Sequence, residues 1–172
     1  MSAATLREAL EKAERVFTAK PELAVFPTPV VTARMVDGLR CDITGPDGEH
    51  ATADTKRALG GTESAPSPGW YLRAALASCS AMGITMRAAQ LGIALRDLEV
   101  SICARADFRG WFGLADVSSA LSDLRMQVRI GADGVSAQQL RELVEWCDAR
   151  SIVSCTVRAG PKIDLDLDIE VV

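Results

Sequence analysis

The stretch SPGWYLRAALASCSAMGITMRAAQLG, residues 67–92, decides the fold. Ser67 can cap a helix, and Pro68 suits the first helical position, where its missing N–H costs nothing. Only Arg73 and Arg87 carry charge between Pro68 and Leu91. Trp70, Leu72, Leu76, Cys79, Met82, Ile84, Met86 and Leu91 point in nearly every direction around a helix. A helix that is apolar all round is buried on all sides. At a rise of about 1.5 Å per residue it is roughly 36 Å long. The rest of so short a chain is hard pressed to cover it, so a partner subunit is expected. Gly92 suits the stop.

On the amino-terminal side, Leu6, Ala9, Leu10, Ala13, Val16 and Phe17 form one stripe at three-and-four spacing, which predicts a helix over about Thr5 to Lys20. Thr5 and Glu8 fit a capping box. Pro21 to Pro29 is a proline-punctuated connector. Residues 1–28 are therefore read as a helix with its connector, and 29–172 as the main domain. Val31, Ala33 and Met35 alternate with polar residues, Asp37-Gly38 is a turn signal, and Leu39, Cys41 and Ile43 return. A third strand is expected over His50 to Asp54.

On the carboxyl-terminal side, alternation predicts strands over Leu98 to Asp107 and Asp123 to Ile130. Ser136 and Gln139 form a capping box before a helix bearing Leu140, Leu143, Val144 and Cys147 on one face. Ile152 to Val157 reads as a short apolar, strand-like stretch. Ile163, Leu165, Leu167, Ile169 and Val171 alternate with acidic residues, which predicts a final strand. Strands in hairpin groups with helices between them give α+β with a mainly antiparallel sheet.

Composition narrows function. The chain has 172 residues, 48% apolar and 24% charged, with a net charge of −4. That mix describes a globular domain, and a mildly acidic chain without a basic run is a poor match for nucleic acid. The longest uncharged run, Ala74 to Met86, is too short to span a membrane, which takes about 18 or more residues. The charged amino terminus is unlike a secretory signal, so a cytoplasmic protein is expected. His50, the one histidine, excludes a three-His zinc site within a chain, and the acidic ladder near the end reads as a solvated sheet face. No phosphate loop or dinucleotide fingerprint occurs, so neither metal nor cofactor is expected. The five cysteines, Cys41, Cys79, Cys103, Cys147 and Cys155, form no C-x-x-C pair and are expected as free thiols. Cys79 lies mid-helix among small residues. As a nucleophile it needs donors or a cation to hold its thiolate; otherwise it is a small apolar core residue.

Gly60-Gly61, Pro66-Ser67-Pro68, and Tyr71 through Ser78-Cys79 resemble the signature of the OsmC/Ohr family. The likeness runs on through Leu91-Gly92-Ile93, Leu98-Glu99-Val100, the Ser136 helix and Ser151-Ile152-Val153-Ser154. It implies an intertwined α+β homodimer with sites at the subunit interface. It also implies thiol-dependent reduction of organic hydroperoxides, in which a central-helix cysteine and a later one act with an arginine and a glutamate. Residue by residue, the first cysteine matches Cys79. The second falls at Ser151, the glutamate at Gly69, and the arginine near Val36, with Arg34 and Arg40 close by. Ser151 cannot resolve a sulfenic acid. Cys147, four residues earlier, is the candidate stand-in, with an external thiol reductant as the other route. The site expected from the resemblance is thus Cys79, Cys147, Arg34 and Arg40. The other readings are a non-catalytic protein binding a small apolar ligand on the same fold, and a different thiol enzyme using Cys79 alone.

Overall fold

A computed structural model describes residues 3–170. The order is α1 (Ala3–Ala19), β1 (Thr32–Asp37), β2 (Arg40–Thr44), β3 (His50–Ala53), α2 (Pro68–Gln90), β4 (Leu95–Arg105), a one-turn α3 (Phe108–Trp111), β5 (Ser122–Ala132), α4 (Ala137–Asp148) and α5 (Ile152–Ala159). Two antiparallel sheets result: β1-β2-β3, and the ribbon β4-β5. The expected α+β class with antiparallel pairing is what the chain adopts.

Local chemistry fixes these boundaries. Ser67 caps α2 through the Trp70 N–H at 3.3 Å, with Pro68 at the first helical position. Ser136 and Gln139 close the capping box of α4 reciprocally. Gly38, at φ +53, turns β1 into β2. A residue with a Cβ is strained there.

The core is narrower than the composition suggests. Ile84 and Ala88 of α2 meet Leu143 and Cys147 of α4, with Leu98, Val100, Val128 and Ile130 of the ribbon packed against them. Leu76, Ser80, Ile84 and Ala88, at spacing four, form the buried stripe of α2. The other sides of α2 correct the sequence expectation: Trp70, Leu72, Met82, Met86 and Leu91 are exposed. One subunit covers one face of this helix and leaves the rest open. α1 packs on α2, with Leu6, Leu10 and Ala13 of its apolar stripe half-buried, and Glu14 accepts from the Gln90 side-chain amide.

Two other expectations need correcting. Ile152 to Val157 belongs to helix α5, and residues 161–170 pair with no strand. In the first case Ser151 supplies a cap to the Ser154 N–H, and Gly160, at φ +54, ends the helix. In the second case Ile163, Leu165, Leu167 and Ile169 alternate, but they stand 71–88% exposed with no ladder to join, and Val171 lies outside the described residues.

The loop that presents α2 is built around one carboxylate. Asp54 is 2% exposed. It accepts from the Thr62 hydroxyl at 2.6 Å, the Ser64 N–H at 2.9 Å, the Thr55 N–H at 2.7 Å and the Ser64 hydroxyl at 2.9 Å. Those donors, the Thr62 hydroxyl foremost, outweigh burial and hold its carboxyl far below the usual carboxylate range. Gly61 is required here, because a Cβ would come within 2.2 Å of the Thr55 carbonyl oxygen. Asp54 thus ties the end of β3 to the Gly60-Gly61 turn that precedes α2.

A depressed folded-state pKa stabilises above the unfolded value, and the contribution is lost as pH falls through the folded one. Asp54→Asn is therefore expected to lower the thermal midpoint at pH 7. The gap from wild type should shrink as pH falls well below the unfolded value of about 3.9. Thermal unfolding followed by circular dichroism across that range checks it.

Candidate functional site

Cys79 sits midway along α2 and is partly buried. Its sulfur meets the amino terminus of α5. The Ser151 hydroxyl donates to Sγ at 3.3 Å, and the backbone N–H groups of Ile152 and Val153 also donate to it. Ser151 is the cap of α5; its oxygen accepts from the Ser154 N–H at 3.3 Å while its proton faces the thiol. Helix N-termini hold unpaired N–H groups and a partial positive charge, so they favour an anion.

The balance at the sulfur follows from these contacts. Burial pushes the Cys79 thiol up; the Ser151 hydroxyl and the Val153 and Ile152 N–H groups push it down further, leaving it below the ordinary cysteine value. A helix N-terminus is one of the recognised environments of a low-pKa cysteine. Neutral donors do the work, and among the described residues no guanidinium acts on this sulfur.

The remaining predicted residues lie elsewhere. Cys147 is 4% exposed in the core against Ile84 and Ala88. Those residues are five and nine positions beyond Cys79 on α2, roughly 7 and 14 Å along its axis. Burial pushes the Cys147 thiol up despite the nearby charges of Arg87 and Arg150. It is a protonated core thiol, and the structure brings Ser151, not Cys147, to Cys79. Arg34 lies in β1 opposite Asp42, and Arg40 opens β2 with its Nε buried and unpartnered. Their sheet touches α2 through the Tyr71 hydroxyl, which donates to the Thr52 carbonyl at 2.7 Å.

Sequence reasoning placed Ser151 at the second cysteine position but missed its role as donor. It missed the Ile152 and Val153 N–H groups altogether. Ser151-x-x-Ser154 was the available signal for a capped helix start, outweighed by the β-branched residues that follow.

Two buried hydroxyls beside this junction, Ser80 Oγ and Ser154 Oγ, make no hydrogen bond within the subunit. Ser80 neighbours Cys79 on α2, and Ser154 lies in the first turn of α5. Buried hydroxyls normally find partners.

Comparison with known proteins establishes the family and the fold. The OsmC-like protein family model matches residues 61–166. The chain belongs to that family, and the match spans the Gly60-Gly61 turn from its second glycine, α2, the β4-β5 ribbon, α4 and α5. No curated protein matches it significantly. Among solved structures it is similar to an OsmC-like protein from Mycoplasma pneumoniae, with TM-score 0.67, 15% identity, and coverage of 78% of this chain and 89% of that one. It is also similar to an organic hydroperoxide resistance protein OsmC from Legionella pneumophila, with TM-score 0.58, 18% identity, and coverage of 78% and 91%. The organic hydroperoxide resistance protein OhrB of Bacillus subtilis gives TM-score 0.53, 18% identity, and coverage of 79% and 94%. At these identities the likeness is one of fold.

If Ser151 lowers the pKa of Cys79, Ser151→Ala raises it, at a cost of about 1 kcal/mol for the lost helix cap. Alkylation of Cys79 by iodoacetamide, followed by mass spectrometry across pH, is expected to move its midpoint upward in the variant. An unmoved midpoint would assign the effect to other groups.

Proposed function

We propose that this chain is a thiol-dependent reductant of organic hydroperoxides that works through Cys79 alone. The observation that carries the reading is the sulfur of Cys79 set against the Ser151 hydroxyl and the first N–H groups of α5. The thiolate attacks one oxygen of a hydroperoxide. An S–O bond forms, the O–O bond breaks, and the departing alkoxide takes a proton to leave as an alcohol. Cys79 is then a sulfenic acid, oxidised by two electrons.

With Ser151 at the adjacent position, the next thiol comes from outside the chain. A small thiol attacks the sulfenic sulfur, water leaves, and a mixed disulfide forms. A second small thiol then displaces Cys79 and departs as the symmetrical disulfide. The names of the fold neighbours from Legionella pneumophila and Bacillus subtilis support hydroperoxide as the substrate class. The apolar residues around α2 favour an organic substrate over hydrogen peroxide. Arg34 and Arg40 lie outside the Cys79 contacts, and this reading gives them no part in holding the thiolate. The exposed Trp70, Met82 and Met86 support a homodimer assembled on α2. The free thiols support a reducing, cytoplasmic setting. No helix among the described residues is long and apolar enough to cross a membrane.

The test is hydroperoxide consumption with a small monothiol as reductant. Wild type and Cys147→Ala are expected to turn over alike, and Cys79→Ser to fall to the uncatalysed rate. If wild type and Cys79→Ser are equally inert, the enzymatic reading fails and apolar-ligand binding on the same fold takes its place.

A further inference from the structure

We propose that the cavity where the end of α2 meets α4 binds a small aliphatic amino acid, with Arg87 holding its carboxylate and Glu142 its ammonium group. Arg87 is eight residues beyond Cys79 on α2, roughly 12 Å along the axis. The site is therefore apart from that thiol and independent of how the thiol is read. Two opposite charges share one apolar cavity here without meeting.

The cavity measures about 450 Å³, a volume suited to a small molecule. Leu91, Ile93, Val135 and Leu143 give it aliphatic walls, and the Trp146 ring is a further wall.

Arg87 is set in place before any ligand arrives. Its Cζ lies 4.3 Å from the centroid of the Trp146 ring. Its Nη1 donates to Gln90 Oε1 at 3.3 Å, and the Gln90 amide donates in turn to Glu14 of α1. Arg150, just past the end of α4, stacks on the same ring at 4.4 Å. A group fixed in this way binds at a smaller entropic cost than a free one. A guanidinium carries five N–H donors. No carboxylate pairs with that of Arg87 among the described residues, although the residue is half-buried. A charge drawn partly out of water favours a partner.

Glu142 is the counterpart. It lies one turn before Trp146 on α4, an offset of about 5.4 Å. It accepts from the Gln138 side-chain amide at 2.8 Å and pairs with no cation among the described residues. A fatty acid in this cavity would leave Glu142 unmet, and an aliphatic amine would leave Arg87 unmet. A zwitterion with an aliphatic side chain answers both charges and the walls together.

The probe is L-leucine, followed through the indole N–H signals of ¹⁵N-labelled protein. The three tryptophans give three such signals, and Trp146→Phe identifies the one from residue 146. Leucine is expected to shift that signal saturably and to leave those of Trp70 and Trp111 in place. Arg87→Gln and Glu142→Gln are each expected to weaken binding about tenfold or more, the scale of a lost charged hydrogen bond. Glu142 is exposed, so its variant keeps the test decisive should Arg87→Gln disturb the stack on Trp146. Isocaproate, which lacks the ammonium group, and isoamylamine, which lacks the carboxylate, are expected to bind wild type more weakly by a similar factor. No saturable shift with leucine overturns the site. Equal binding by either analogue, or undiminished binding by Glu142→Gln, overturns the assignment to a zwitterion.

Discussion

One junction organises this molecule: the amino terminus of α5 pressed against the sulfur in the middle of α2. A partly buried thiol resists ionising, because a charged sulfur loses solvation. Here the lost water is replaced by the Ser151 hydroxyl and two backbone N–H groups. The donors are fixed by the fold, since the same Ser151 oxygen caps the helix that supplies them. Capping and thiolate stabilisation are therefore a single arrangement. It sets donors on the sulfur without a buried countercharge, which would itself need desolvation and partners.

The rest of the chain serves that placement. Asp54 gathers Thr55, Thr62 and Ser64 into the loop that leads into α2. The α2–α4 core, with Ile84, Ala88, Leu143 and Cys147, fixes where the following turn delivers α5. Cys147 is part of that core, which accounts for a cysteine one turn before Ser151 that does no chemistry in this account. The exposed apolar side of α2 and the unpaired final segment are the apolar surfaces that the described fold leaves uncovered.

Much of this was legible from residue order. Ser67-Pro68 and the Ser136/Gln139 box carry their own helix starts, and the alternation of β4 and β5 fixes which residues meet the core. Cys79 was legible as the sulfur to weigh, through its small neighbours and the surrounding motif. α5 was not, because Ile152, Val153, Thr156 and Val157 are β-branched and suit a strand as readily as a short helix. It is helical by virtue of a cap and tertiary packing, and neither shows in a period. The role of Asp54 was hidden too, since its main donors lie eight and ten residues further on. The alternation over residues 163–169 is genuine, but alternation marks a face and does not by itself make a paired strand.

Fixed neutral donors, and not a guanidinium, lower the pKa of the Cys79 thiol. The direct measurement is thiolate absorbance titrated against pH at low and high ionic strength. The protein for it has Cys41, Cys103, Cys147 and Cys155 each changed to Ala. The account predicts a midpoint below the ordinary cysteine range that salt leaves in place. A midpoint in the ordinary range, or one that returns to it as salt is added, would contradict it.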